Sequence, residues 1–297
     1  MITPVPLFTG DTIAIASPAG AVREQAIVLQ ATEALRLRGY KVVTAPHTLT
    51  RNGYYSGTRE ERVSDLAGLL ADKNIKAILC SYGGYGCVHL VEELSTLIAE
   101  NPKWLIGMSD CSALHAACVA SGVESVHGPQ CRHIATQPHS VATEHLFDIL
   151  AGKRPVYTTA PHPLNINGEA RGTLVGGNLS VITALAGSPY DLFKEGRIIF
   201  IEDTGELPYR VERLMFQLKL SGALAGIKGL IVGQFTGVKE HTGFGGTTYE
   251  LIYNIVKGYN IPVCFNFPVG HCDNNMPLIE GADVCFSVTN DGAVVAF

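Results

Sequence analysis

Charge is scarce in this chain. Only 16% of its 297 residues are Asp, Glu, Lys or Arg, and the net charge is −5. No basic run occurs, which argues against a nucleic-acid surface and against a polybasic membrane patch. Nucleic acid and membrane are therefore not expected as partners. No apolar stretch is long enough to span a bilayer. The opening residues Met1-Ile-Thr-Pro-Val-Pro-Leu-Phe-Thr-Gly10 lack a positive n-region and a continuous apolar h-region, so a cytoplasmic address is expected. The eight cysteines (Cys80, Cys87, Cys111, Cys118, Cys131, Cys264, Cys272 and Cys285) contain no CxxC pair, which disfavours zinc ribbons and redox motifs. Most sit inside apolar runs, as small buried thiols of a reducing compartment do. No short-period repeat or low-complexity tract is present.

What the chain does have is 46% hydrophobic residues and 32 glycines, the balance of an α/β protein with many buried strands and turns. Asp11–Ser17 reads as a strand, Glu24–Arg38 as a helix stopped by Gly39, and Lys41–Ala45 as a second strand, which together make a βαβ unit and imply a parallel sheet. Thr58 and Glu61 have capping-box spacing ahead of a helix. Ile75–Cys80 is a strand, 88–100 a helix, and Val123–His127 a short strand. Prolines recur between Gln130 and Asn167, which reads as an inter-domain connection with little sheet of its own, although 141–151 has the make-up of one helix. Strands and helices then resume: 171–177 as a strand or loop, 196–205, 227–233 and 262–266 as strands, and 179–186, a segment opened by Pro208, and 247–257 as helices. Asn290-Asp291-Gly292 is a hairpin turn between the last two strands. The expected architecture is a two-domain α/β protein: an N-terminal parallel-sheet domain over 1–135 with a nucleophile elbow, a linker over 136–167, and a mixed-sheet α/β domain over 168–297.

Three strand ends carry residues capable of chemistry. Trp104-Leu-Ile106 leads through Gly107 to Ser109 and then a small-residue helix, and a serine on such a corner has fresh helix amides beside it. Taken alone, Ser109 reads first as an N-cap, a position serine favours. Glu202 follows Phe200-Ile201, and His271 follows Phe267-Pro-Val-Gly270. A histidine base, a carboxylate to orient it and a serine to attack are the components of acyl transfer. Each has a plainer alternative. Glu202, Asp203 and Glu206 read also as a solvated acidic loop, and His271-Cys272-Asp273 mimics metal ligands without the second cluster that first-row sites use. Cys87 and Cys111 are rival nucleophiles, inert when buried without a partner that lowers the thiol pKa. Tyr82-Gly-Gly-Tyr-Gly86 has the flexibility to cradle phosphate but lacks the Lys-Ser/Thr of a P-loop.

Taken together and in order, Gly83-Gly-Tyr-Gly86, Ile106-Gly-Met-Ser-Asp110, Phe200-Ile-Glu-Asp-Thr-Gly-Glu-Leu-Pro-Tyr209 and Phe267-Pro-Val-Gly-His271 resemble the LD-carboxypeptidases of peptidoglycan recycling. That serine-peptidase family also includes the microcin-C immunity peptidases. Gly53–Gly57, Val175–Leu179 and Met276–Leu278 extend the resemblance over nearly the whole chain. The resemblance implies Ser109 as nucleophile, Glu202 and His271 as its partners, and the backbone N–H groups of Asp110 and of Gly83 or Gly84 as oxyanion donors. It implies no metal and no organic cofactor, a small muropeptide as substrate with terminal D-alanine as the leaving residue, and a homodimer. Tyr82 and His89 stand where family members commonly carry arginine, which bears on substrate identity more than on the trio. The competing readings are a microcin-C-type amidase acting on aminoacyl-nucleotide conjugates, for which Trp104 is the only tryptophan available to stack, and a non-catalytic muropeptide-binding protein.

Overall fold

Short runs of branched and small apolar residues become strands covered on both faces, and the segments between them become helices with one buried stripe. The computed structural model describes residues 1–240 and 242–297. They form two units, Met1–Lys153 with Asp273–Gly281, and Arg154–Cys272 with Ala282–Phe297.

In the first unit the chain runs β1 (Thr12–Ala16), α1 (Gln25–Leu37), β2 (Lys41–Thr44), α2 (Arg59–Ala71), β3 (Ile75–Cys80), α3 (Val91–Glu100), β4 (Trp104–Gly107), α4 (Ser112–Ala120), β5 (Ser125–His127), α5 (Cys131–Thr136) and α6 (Val141–Leu150). The five strands lie in the order β5-β4-β3-β1-β2 and all pair in parallel. All of β4 is buried, and so are β1 and β3 except for Thr12 and Lys76. Trp104 is fully buried and donates its Nε1–H to the Val5 carbonyl at 3.1 Å. Thr58 and Glu61 form the capping box that opens α2. The helix expected from residue 88 is divided: a 3-10 turn, Cys87–His89, precedes α3.

The second unit contains β6 (Val156–Thr159), β7 (Gly168–Asn178), α7 (Leu179–Ala184), β8 (Arg197–Thr204), α8 (Pro208–Leu220), β9 (Gly229–Thr236), α9 (Thr248–Val256) and β10 (Val263–Cys264). The chain then supplies β11 (Leu278–Glu280) to the first unit, where it pairs antiparallel with β5, and closes with β12 (Asp283–Thr289) and β13 (Gly292–Ala296). The first sheet is thus parallel apart from one edge strand. The second sheet has the order β10-β9-β8-β7-β12-β13-β6 and is mixed, parallel from β7 to β10 and antiparallel beyond. The long strand β7 joins the two halves, pairing with β12 along its start and with β8 along its end. A Cβ on Gly176 would lie 2.0 Å from the Phe200 carbonyl oxygen, so only glycine permits that pairing.

The span 136–167, expected as a linker with little sheet, is shared between the units. Residues to Lys153 belong with the first unit, where α6 buries Ala142, Leu146, Ile149 and Leu150. Val156–Thr159 is the edge strand β6 against β13, with Tyr157 buried. Prolines flank this β-branched run without interrupting it, which an edge strand tolerates.

Candidate active site

Strand β4 ends at Gly107, Met108 is extended, and Ser109 turns into the left-handed region with φ 63°. A 3-10 turn over Ser109–Cys111 then runs directly into α4. A left-handed conformation at a residue with a Cβ costs on the order of 1–3 kcal/mol and persists only where the surroundings enforce it. Met108 holds the N-cap position of that turn without a side-chain bond, so capping does not describe Ser109.

The glycine loop after β3 lies against this elbow. A Cβ on Gly83 would sit 2.8 Å from the Ser109 Cβ, 3.0 Å from its Oγ and 3.4 Å from the Asp110 nitrogen. The structure therefore brings together Gly83, Ser109 and the Asp110 amide, and that amide lies in a first helical turn, where N–H groups lack an intrahelical acceptor. The buried Asp110 carboxylate accepts from the Cys87 N–H at 2.8 Å, tying the end of the glycine loop to the elbow. Arg62, itself buried, donates Nη1–H to Gly86 and Pro18 carbonyls at 3.0 and 2.7 Å. Gly84 packs on Gly20, and the Tyr82 ring lies against both. His89 stacks edge-on with Tyr55 and Tyr85, and its Nδ1 is 3.4 Å from Arg62 Nη2.

Two supports of the elbow carry no motif in the sequence. His115 on α4 is fully buried, donates Nε2–H to the Gly107 carbonyl at 3.0 Å and accepts the Ser125 hydroxyl at Nδ1 at 2.8 Å. Burial pulls its pKa down to about 4, against the bond to Gly107, so the ring is neutral at neutral pH. Gln130 donates Nε2–H to the Met108 carbonyl at 3.2 Å. Only a histidine eight residues past a strand-end glycine pointed to the first of these, and no local pattern pointed to the second.

In the second unit, Glu202 near the end of β8 is fully buried, and its Oε2 lies 2.7 Å from His271 Nδ1. A carboxylate only accepts, so Nδ1 carries the proton and Nε2 remains for a reaction. Burial lowers the His271 pKa, but the hydrogen bond and charge of Glu202, with Asp203 behind it, outweigh burial and leave it raised above 6.5. Gly270, with φ 117°, lets the carboxylate in: a Cβ there would lie 2.6 Å from Glu202 Oε2. The solvated-loop alternative does not describe Glu202 or Asp203. Asp203 is also buried, and accepts from Asn178 Nδ2 at 2.8 Å and from Ser180 N and Oγ at 3.0 and 2.6 Å, anchoring the start of α7. Glu206 pairs with Arg210 at 3.5 Å. Ser109 thus belongs to the first unit, and Glu202 and His271 to the second.

The rival nucleophiles Cys87 and Cys111 are fully buried, with Cys80 beside them. Burial and the Cys111 contact push Cys87 up, and hydrogen bonds from Cys80 and Cys87 hold Cys111 lower. Among the described residues, no group of three or more His, Cys, Asp or Glu side chains is arranged to hold a metal ion.

A serine on a strained strand-to-helix elbow and a carboxylate-oriented histidine at a strand end are components of serine hydrolases. The chain belongs to the LD-carboxypeptidase family: the family's N-terminal domain profile matches residues 13–128 and its C-terminal domain profile residues 171–286. A Synechocystis sp. protein whose name places it among carboxypeptidases is 35% identical over 95% of this chain and 93% of its own. The solved muramoyltetrapeptide carboxypeptidase of Oxalobacter formigenes is 27% identical, covers 96% of this chain and 98% of its own, and aligns with TM-score 0.87. The microcin C7 self-immunity protein of Escherichia coli is 28% identical over 96% of this chain and 93% of its own. A structure of the microcin C7 self-immunity protein in complex with aspartyl sulfamoyl adenosine aligns with TM-score 0.88 at 25% identity, covering 100% of this chain and 99% of its own.

Proposed function

We propose that this protein is a serine peptidase that hydrolyses an L,D-amide bond and releases terminal D-alanine from a murein tetrapeptide. Ser109 Oγ attacks the amide carbonyl, His271 Nε2 takes its proton and passes it to the leaving amine, and Glu202 orients the imidazole and stabilises its charged form. The tetrahedral oxyanion is met by backbone N–H groups of Asp110 and of Gly83 or Gly84, which need no reorganisation during the reaction. The observation that carries this reading is the left-handed Ser109 pressed against Gly83, a strained conformation that a structural serine has no need of. Relatives named for murein peptides support the substrate. The test is turnover of a murein tetrapeptide by the wild type and by Ser109→Ala: release of D-alanine by the first and not the second is expected, and equal release by both would remove Ser109 from the reaction.

The microcin C7 relative favours a second reading, an amidase acting on an aminoacyl-sulfamoyl nucleotide. Trp104 does not serve that reading, because it is a core residue. Turnover of the tetrapeptide measured beside that of an aminoacyl-sulfamoyl adenosine separates the two. Labelling of Ser109 by a serine-reactive phosphonate would exclude a non-catalytic binding protein.

A further inference from the structure

The first unit contains a cavity of about 350 Å³ that the proposed chemistry does not use, lined in part by Gly20, Arg23, Arg51, Tyr54 and Tyr82. Backbone bonds build its walls. The Ala21 N–H donates to the Tyr54 carbonyl at 3.0 Å and the Ser56 N–H to Ala19 at 3.1 Å, while Asn52 and Tyr55 exchange bonds around a turn in which Gly53 has φ 61°. The Gly20 N–H donates to the Gly83 carbonyl at 3.0 Å, so the same segment is tied to the glycine loop. Tyr82, one wall of the cavity, immediately precedes Gly83, whose backbone lies on Ser109.

The charge in this cavity has one sign. No acidic residue lines it, although the chain as a whole carries a net charge of −5. Arg38, Arg59 and Arg210 are each matched by a carboxylate, and Arg62 by carbonyls. Arg23 and Arg51 have no hydrogen-bond or ion-pair partner among the described residues. Two unmatched guanidiniums on a backbone-braced cavity offer N–H donors and positive charge to an anion, and a guanidinium matches the planar geometry of a carboxylate with two parallel N–H donors.

We propose that this cavity is a carboxylate subsite, in which Arg23 and Arg51 hold the free terminal carboxylate of the peptide and the Tyr54 and Tyr82 rings flank its aliphatic part. The proposal rests on the peptide-hydrolase reading and adds the feature by which a terminal residue is told from an internal one: an internal residue has an amide where the terminal one has a charge.

The test measures binding without turnover, in the Ser109→Ala protein, by calorimetric titration with a murein tetrapeptide and with its C-terminal carboxamide. The free acid is expected to bind about tenfold or more tightly than the carboxamide, and Arg23→Gln with Arg51→Gln to bring the two within about twofold. Both arginines are exposed, and each single variant is titrated as well, so a misfolded double variant does not decide the outcome. Equal binding of acid and carboxamide with both arginines in place, or discrimination that survives their replacement, overturns the subsite. So does arginine-dependent binding of inorganic phosphate that is tighter than that of the acid, which would make the cavity a phosphate site. Should the wild type fail to hydrolyse the tetrapeptide while arginine-dependent discrimination persists, the hydrolase reading falls and the subsite stands.

Discussion

Glu202 Oε2 lies 2.7 Å from His271 Nδ1, with the carboxylate fully buried and the imidazole a quarter exposed. The pair raises the His271 pKa above 6.5 despite burial, which acts the other way. If His271 is the base, it works only when neutral, so the acid limb of kcat/KM against pH is expected to have its midpoint above 6.5. Glu202→Gln should move that midpoint down and reduce kcat by about 10²–10⁴-fold, as loss of an orienting carboxylate does. A pH–rate profile of both proteins on the tetrapeptide checks it. An unmoved midpoint would show that the limb belongs to another group.

The same pair makes stability depend on pH. The folded-state pKa of His271 lies above its unfolded value of about 6.5, so its contribution is full below that value. The contribution is then lost as pH rises through the raised folded pKa. Urea unfolding from pH 5.5 to 9 is expected to show this loss in the wild type and a flatter dependence in His271→Gln.

Ser109 stores backbone strain that glycine would release. Ser109→Ala and Ser109→Gly are both expected to abolish hydrolysis. The glycine variant should be the more stable by about 1 kcal/mol, because alanine keeps the left-handed penalty. Paired denaturant titrations measure the difference, and equal midpoints would show that the φ of 63° costs nothing.

Gly270 is the residue whose lack of a side chain admits Glu202. Gly270→Ala places a methyl 2.6 Å from the carboxylate at φ 117°, so destabilisation of about 1–3 kcal/mol is expected, with kcat falling more than KM rises. Full activity in this variant would mean that the pair tolerates displacement.

His115 supports the elbow through the Gly107 carbonyl. His115→Phe takes the acceptor from the buried Ser125 hydroxyl and leaves the Gly107 carbonyl with the Gly128 N–H alone, and is expected to cost about 1–3 kcal/mol in thermal or urea unfolding. A kcat loss exceeding the change in KM would identify it as a positioning residue for Ser109. An unchanged kcat would confine it to packing.

Much of the fold was legible because local chemistry dictates it. Gly39 beyond α1, the Thr58–Glu61 capping box, Pro208 at the start of α8 and the Asn290-Asp291-Gly292 turn each act within a few residues. Strand β6 was not legible, since its four residues become a strand by pairing with β13, more than 130 positions away. Strand β11 is similar: its residues join the first sheet only because β5 offers an edge. The candidate residues Ser109, Glu202 and His271 were recognisable at strand ends, whereas the supports His115, inside α4, and Gln130, on the extended residue before α5, carry no local signature.

The sequence by itself determined an α/β chain, its elbow serine, its glycine loop and the two later strand ends, because spacing and residue type act through short-range backbone preferences. Tertiary structure decided what those preferences leave open. It buried Glu202 and set its carboxylate against His271, turned Ser109 to a positive φ against Gly83, and left Arg23 and Arg51 unmatched around a cavity. Burial, strain and unmatched charge are properties of groups brought together from distant positions, and that convergence exists only once the chain has folded.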